Sequence, residues 1–170
     1  MTDRRPRVYI AGPYRSNPVR GTANAIEAGD DLAHLGIIPY VPHLTIVWDA
    51  WRKNPERFYL DLDLDWLEVC DALYRLPGQS AGSDAEVVRM LELGRPVFFR
   101  VGELVRWADA WRAGREEEAG LIAAASMLAH AFEESDPEDS GPGPKPERVL
   151  MGYAFDVPIY AYHYAEEVVQ

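Results

Sequence analysis

One cysteine, Cys70, stands among 170 residues, so the chain can form no internal disulfide and carries no cysteine-rich metal site. No apolar run reaches transmembrane length, and the opening MTDRRPRVYIAGPY is basic without a continuous apolar core, so the expectation is a cytoplasmic protein with no membrane partner. Positive charge is scarce as well: 17 Lys and Arg face 28 Asp and Glu, a formal net charge of -11. Tracking nucleic-acid phosphates needs clustered cations, so a nucleic acid polymer is not an expected partner. A small anion remains possible, because two or three local basic groups and amide donors can hold one phosphate whatever the overall charge. The chain has neither GxGxxG nor GxxxxGK[ST], which removes the dinucleotide fingerprint and the Walker loop. No cofactor and no metal are expected.

What is present is a regular alternation of strand and helix signals. Residues 7–11 (RVYIA) read as a buried strand that ends at the Gly12-Pro13 turn. A helix over 22–35 stops at Gly36, and strands follow over 37–41, 71–76 and 96–101, with a helix over 83–93 before the last. This order implies an α/β fold, a doubly wound, mostly parallel sheet of flavodoxin or Rossmann type with helices on both faces. Beyond Gly102 the pattern turns helical, over 103–111 and 116–132; the second helix is rich in alanine, suited to packing within the chain or in an oligomer. The expected organisation is one α/β domain with C-terminal helices over 1–134, a Pro/Gly/acidic linker over 135–147 and an aromatic-rich docking tail over 148–170.

Chemistry concentrates between residues 54 and 86. Asn54 and Pro55 offer an N-cap and a first-turn proline for a helix in which Asp61, Asp65 and Glu68 share one face, while Asp63 falls among Tyr59, Leu60, Trp66 and Leu67. A carboxyl inside an apolar stripe holds its proton to higher pH, as a general acid must; turned the other way, Asp63 is one more solvated charge. After the break at Pro77-Gly78, Ser80-Ala81-Gly82-Ser83 lead into a helix carrying Glu86. Ser83 to Glu86 also fits a capping box, in which the glutamate bonds the helix start and does no chemistry. In the loop after the first strand, Arg15 and Ser16 can serve an anion or an ordinary polar turn. His43, Trp48 and Trp51 can line a slot for a planar base or pack in the core.

Taken in order, Val8-Tyr9-Ile10-Ala11-Gly12-Pro13, Asp63, Cys70-Asp71-Ala72-Leu73 and Ser80-Ala81-Gly82 followed by Glu86 resemble the nucleoside 2-deoxyribosyltransferase superfamily, over residues 7–101. Within it the chain looks like an uncharacterised branch with a YIAGP-type first strand, related to the nucleoside 5′-monophosphate N-glycosidases. The resemblance implies that Glu86 is the nucleophile at the anomeric carbon, that Asp63 is the acid assisting departure of the base, and that Tyr9 contacts the sugar and orients the glutamate. It also associates Ser80 with hydrolases acting on monophosphates. The expected reaction is N-glycosidic cleavage of a nucleoside or 2′-deoxynucleoside 5′-monophosphate, in nucleotide metabolism. Alternatives are base exchange by a nucleoside 2-deoxyribosyltransferase, a non-catalytic nucleotide-binding module, or an interaction protein built on the tail. Expected substrate-binding residues are Gly12, Arg15, Ser16, His43, Ser80, Gly82 and Ser83, the ligand a small nucleoside or nucleotide, and the assembly a homodimer or larger.

Overall fold

The computed structural model describes residues 4–134, 147–154 and 157–163. Four strands, β1 (Arg7–Ala11), β2 (Ile38–Tyr40), β3 (Ala72–Arg75) and β4 (Val97–Phe98), form one sheet in the order β2-β1-β3-β4, and every pair is parallel. Helices α1 (Pro18–His34), α2 (Thr45–Trp51), α3 (Glu56–Val69), α4 (Ala81–Glu92), α5 (Val101–Arg112) and α6 (Glu116–Glu134) connect and flank it. The expected doubly wound α/β architecture is therefore present. From β1 the chain moves outward to β2, then returns past β1 to β3, so the strand order reverses between β1 and β3. The crevice beyond their carboxyl ends is where such sheets take ligands.

The pleat sends alternate residues to opposite faces. Val8 and Ile10 of β1, with Ala72 and Phe98, pack under α1 (Ala25, Leu32) and α5 (Leu104, Trp107, Ala108). Tyr9 and Ala11, with Leu73 and Val97, pack on the other face with Leu67 of α3 and Val87 and Met90 of α4. α6 serves both layers, giving Ala119 and Ala123 to the first and Met127 to the second. Its alanines let it lie close to α5.

Local signals explain most boundaries. Asn17 caps α1 by accepting from the Arg20 amide at 3.1 Å, with Pro18 in the first turn. α3 begins one residue later than its Asn54-Pro55 signal suggests: Pro55 occupies the capping position, and the Asn54 amide donates to Arg52 O and Tyr59 Oη, each at 3.1 Å. α4 begins two residues earlier than expected, because Ser80 rather than Ser83 supplies the cap. Of the expected linker, residues 135–146 lie outside the described residues, as do 155–156 and 164–170 of the tail. The described part of the tail is an antiparallel hairpin, β5 (Glu147–Ala154) and β6 (Val157–His163). No helix among the described residues is long and apolar enough to cross a membrane.

Candidate active site

Five polar side chains converge on the α3/α4 face of the sheet. Tyr9 and Tyr40 are register partners on β1 and β2, so the pleat aims both phenols the same way. The Tyr9 hydroxyl donates to Glu86 Oε1 at 2.7 Å, and the Tyr40 hydroxyl donates to Asp63 Oδ1 at 3.0 Å. The rings lie 5.5 Å apart, and Tyr40 stacks on Trp66 of α3 at 4.9 Å and 19°. From β3, Arg75 points to the same face, its guanidinium donating to Asp84 Oδ1 at 2.9 Å, to Gly78 O at 2.8 Å and to Leu76 O. It pins the β3–α4 loop, where Gly78 has φ +110° and a Cβ would come within 2.9 Å of Pro13 Cγ. The turns after β1 and β3 therefore abut at the mouth of the crevice.

Glu86 lies in the second turn of α4, past the cap, so the capping-box reading of its side chain does not apply. Ser80 Oγ accepts from the Ser83 amide at 3.2 Å and from Ser83 Oγ at 3.0 Å. Ser83 is buried and turned inward, whereas Ser80 keeps its own hydroxyl proton for a further acceptor. Gly82 opens onto free space, a Cβ there meeting only Ser80 Oγ at 3.9 Å. Asp63 is half-buried against Tyr40, while Asp61 is exposed and paired with Arg57 and Asp65 is exposed. Asp61, Asp65 and Glu68 face water as the helical spacing suggested, but of the apolar neighbours expected around Asp63 only Leu67 is buried, while Leu60 and Trp66 are exposed.

The remaining candidates are dispersed. Arg15 is exposed and paired with Glu56 at the start of α3, and Ser16 is exposed on the same loop. His43 is buried behind the Gly12 turn, its Nε2 3.1 Å from Gly12 O, and burial keeps its pKa below the usual range. Gly12 itself is confined, since a Cβ would reach Leu76 Cδ1 at 3.0 Å. Trp48 packs edge-on against Phe58 and Tyr59, at 5.5 and 6.2 Å, and Trp51 is 89% exposed. The slot imagined from His43, Trp48 and Trp51 is therefore not a single place. Cys70 is buried, which pushes its thiol up to about 11 and leaves it unreactive. Among the described residues no cluster of three or more His, Cys, Asp or Glu could hold a metal ion.

The two carboxyls are electrostatically unusual. Burial lifts Asp63 to about 6, against the opposing hydrogen bond from Tyr40. Burial lifts Glu86 to about 7; the Tyr9 bond and Arg75 pull it down, and the Asp63 charge pushes it up. Burial disfavours the charge on both, and the Asp63 charge adds to the rise of Glu86, so the site retains a proton toward neutral pH. One ionised and one protonated carboxyl in a crevice can act as nucleophile and acid.

Tyr40 and Arg75 belong to this constellation but are absent from the sequence candidates. Arg75 had a signal: it is the one cation inside the otherwise apolar run ALYRL, and a buried cation requires partners. Tyr40 had none, because its neighbour Tyr9 is defined only by strand pairing.

No family model matches the chain, and no curated protein matches it. Among solved structures, it is similar to a 2-desoxiribosyltransferase from Leishmania mexicana, with 20% identity and a TM-score of 0.45 over 55% of this chain and 62% of that one. It is also similar to a 2-deoxyribosyltransferase from Bacillus psychrosaccharolyticus, with 20% identity and a TM-score of 0.43 over 54% of this chain and 69% of that one. The chain thus spans less than two thirds of the length of the first of these.

Proposed function

We propose that the protein is an enzyme of nucleoside deoxyribosyltransferase type that cleaves the N-glycosidic bond of a nucleoside or 2′-deoxynucleoside 5′-monophosphate. The observation that carries this reading is the pair of desolvated carboxyls, Glu86 and Asp63, each bonded by a tyrosine of the adjacent strands β1 and β2. Cleaving this bond develops positive charge on the sugar and negative charge on the base. Ionised Glu86 answers the first by attacking the anomeric carbon, forming a glycosyl ester as the carbon–nitrogen bond breaks and its electron pair passes to the base. Asp63 answers the second by giving its proton to that base. Water then attacks the ester, Glu86 leaves as carboxylate, and Asp63 takes the proton from the water.

In the free protein burial raises both carboxyls, so one proton can sit on either of them. A base nitrogen placed beside Asp63 draws it across, because protonated Asp63 can then donate to that nitrogen. Glu86 is left ionised, with the Tyr9 bond and the Arg75 charge supporting it. A 5′-phosphate would lie between the two abutting turns, against the Ser80 hydroxyl and the first-turn amides of Ala81 and Gly82, which a helix leaves unbonded. Arg15 would join by leaving Glu56. A dimer or larger assembly fits Leu121 and Leu128, exposed along α6.

The test incubates the protein with a panel of nucleosides and their 5′-monophosphates and follows free base by chromatography, with and without a second base as acceptor. Base release that needs no acceptor and favours the monophosphate is expected. Release only with an acceptor makes the protein a transferase, and tight binding without release makes it a nucleotide-binding module.

A further inference from the structure

Tyr40 has no place yet in the chemistry, although its hydroxyl is the group bonded to the acid. Its ring is held from two sides, by Tyr9 at 5.5 Å and by Trp66 stacked at 4.9 Å, so the hydroxyl has a fixed position. A phenol has one proton to give, and Tyr40 gives it to Asp63 Oδ1. Burial and the Asp63 charge push the phenol's own pKa well up, so it keeps that proton and is no acid or base itself. With Oδ1 committed as an acceptor, a proton on Asp63 resides on Oδ2.

We propose that Tyr40 is the positioning residue of the acid: its bond to Oδ1 fixes Oδ2 as the oxygen that presents the transferable proton. This rests on Asp63 being the acid of the proposed reaction. Tyr9 and Glu86 repeat the arrangement one strand away, so adjacent, in-register tyrosines orient the two carboxyls from beneath. Helices alone would leave both carboxyls free to rotate about their side-chain torsions. The hydrogen bonds from the sheet's tyrosines set their directions.

The competing account is that Tyr40 only fills space between Tyr9 and Trp66, and Tyr40→Phe separates the two because it keeps the ring and deletes the hydroxyl. Carboxyl carbons of Asp and Glu are labelled with carbon-13 and titrated by NMR in the unliganded protein. In Tyr40→Phe the Asp63 midpoint should rise by about one pH unit, since the lost bond favoured the carboxylate. Tyr9→Phe should instead move Glu86. An Asp63 midpoint unchanged in folded Tyr40→Phe overturns the proposal. Should that variant fail to fold, Asp63→Asn gives the reciprocal reading: the Tyr40 ring carbon bearing the hydroxyl should shift, and a stationary signal overturns the proposal equally. Neither measurement needs a substrate, so a failure here is distinct from a failure to release base. Where base is released, Tyr40→Phe should lower kcat about tenfold with KM nearly constant and move the basic limb of the pH profile upward; rescue of both by ring-fluorinated tyrosine, which restores the donor, would not follow from a packing role.

Discussion

The two faces of the sheet are built from the same strands and carry opposite kinds of side chain. Under α1 and α5 lie Val8, Ile10, Ala72 and Phe98, each fully buried and apolar. One residue along each strand, the other face receives Tyr9, Tyr40 and Arg75, and the helices above it add Glu86 and Asp63. The pleat therefore separates an all-apolar layer from the polar cluster at the spacing of a single residue. The polar face is not free of cost, since both carboxyls are held away from the water that would stabilise their charge. Leu67, Leu73, Val97 and Met90 complete that layer and keep the costly groups in place.

The largest effect that would break this contrast belongs to Glu86. Glu86→Gln should lower turnover at least about a thousandfold, because an amide neither attacks the anomeric carbon nor stabilises the developing cation. Asp63→Asn should also be severe, and Asp61→Asn and Asp65→Asn mild, since those two carboxylates face water. The same variant should show what the polar face costs. Glu86 has a folded-state pKa of about 7 against an ordinary 4.5, so the native state binds more protons than the unfolded chain between those values. The stability linked to this group is complete below its ordinary pKa and lost as pH rises through about 7. Glu86→Gln removes that loss, and by urea unfolding it should be more stable than wild type at about pH 8 by roughly 1 to 2 kcal/mol, an advantage that vanishes at about pH 4. A variant that keeps its activity, or gains nothing in alkali, would mean that the two faces do not divide their work in this way.

On the closed face the expectation reverses. Ile10→Ala should cost about 2 to 5 kcal/mol of stability through the lost methylenes and the cavity they leave, with turnover per folded molecule nearly unchanged. Denaturant midpoints and active-site-normalised rates read the two quantities separately. Loss of activity in a fully folded, undiminished protein would show that the closed face reaches into the chemistry.

This division also explains how much of the molecule could be read from its residues. RVYIA gave the first strand with its true ends, Arg7–Ala11, because Val8 to Ala11 form an unbroken buried run and Gly12-Pro13 stops it. Asp61, Asp65 and Glu68 could be turned to water because the helix spaces them periodically, a property of local sequence, whereas the place of Asp63 is settled only by its contact with Tyr40. Glu86 was harder: two serines three residues apart both suit a cap, and only the fold selects Ser80. The loop before α4 is drawn in by Arg75, whose partners Gly78 and Asp84 form no recognisable motif. Tyr40 meets Asp63 from 23 residues away and Tyr9 meets Glu86 from 77, contacts that follow from strand order and register. The polar half of the site is therefore the half that tertiary structure assembles.

The smallest effect sharpens the contrast at its rim. Arg15 and Glu56 form an ion pair with side chains 80% and 66% exposed, between the turn after β1 and the start of α3. An exposed pair of this kind contributes roughly 0.2 to 1 kcal/mol, so Arg15→Ala should leave stability within that range. The weakness of the pair is what would let Arg15 serve the substrate: a phosphate offering more charge than one carboxylate can draw the guanidinium away at little expense. In that case Arg15→Ala should lower kcat/KM for a 5′-monophosphate about three- to tenfold and leave the matching nucleoside unaffected. Glu56→Gln, which frees Arg15, should shift the monophosphate slightly the other way. If both substrates respond alike to Arg15→Ala, the arginine only ties the loop to α3, and recognition of the phosphate falls to the Ser80 hydroxyl and the amides at the start of α4, where Ser80→Ala would then produce the larger discrimination.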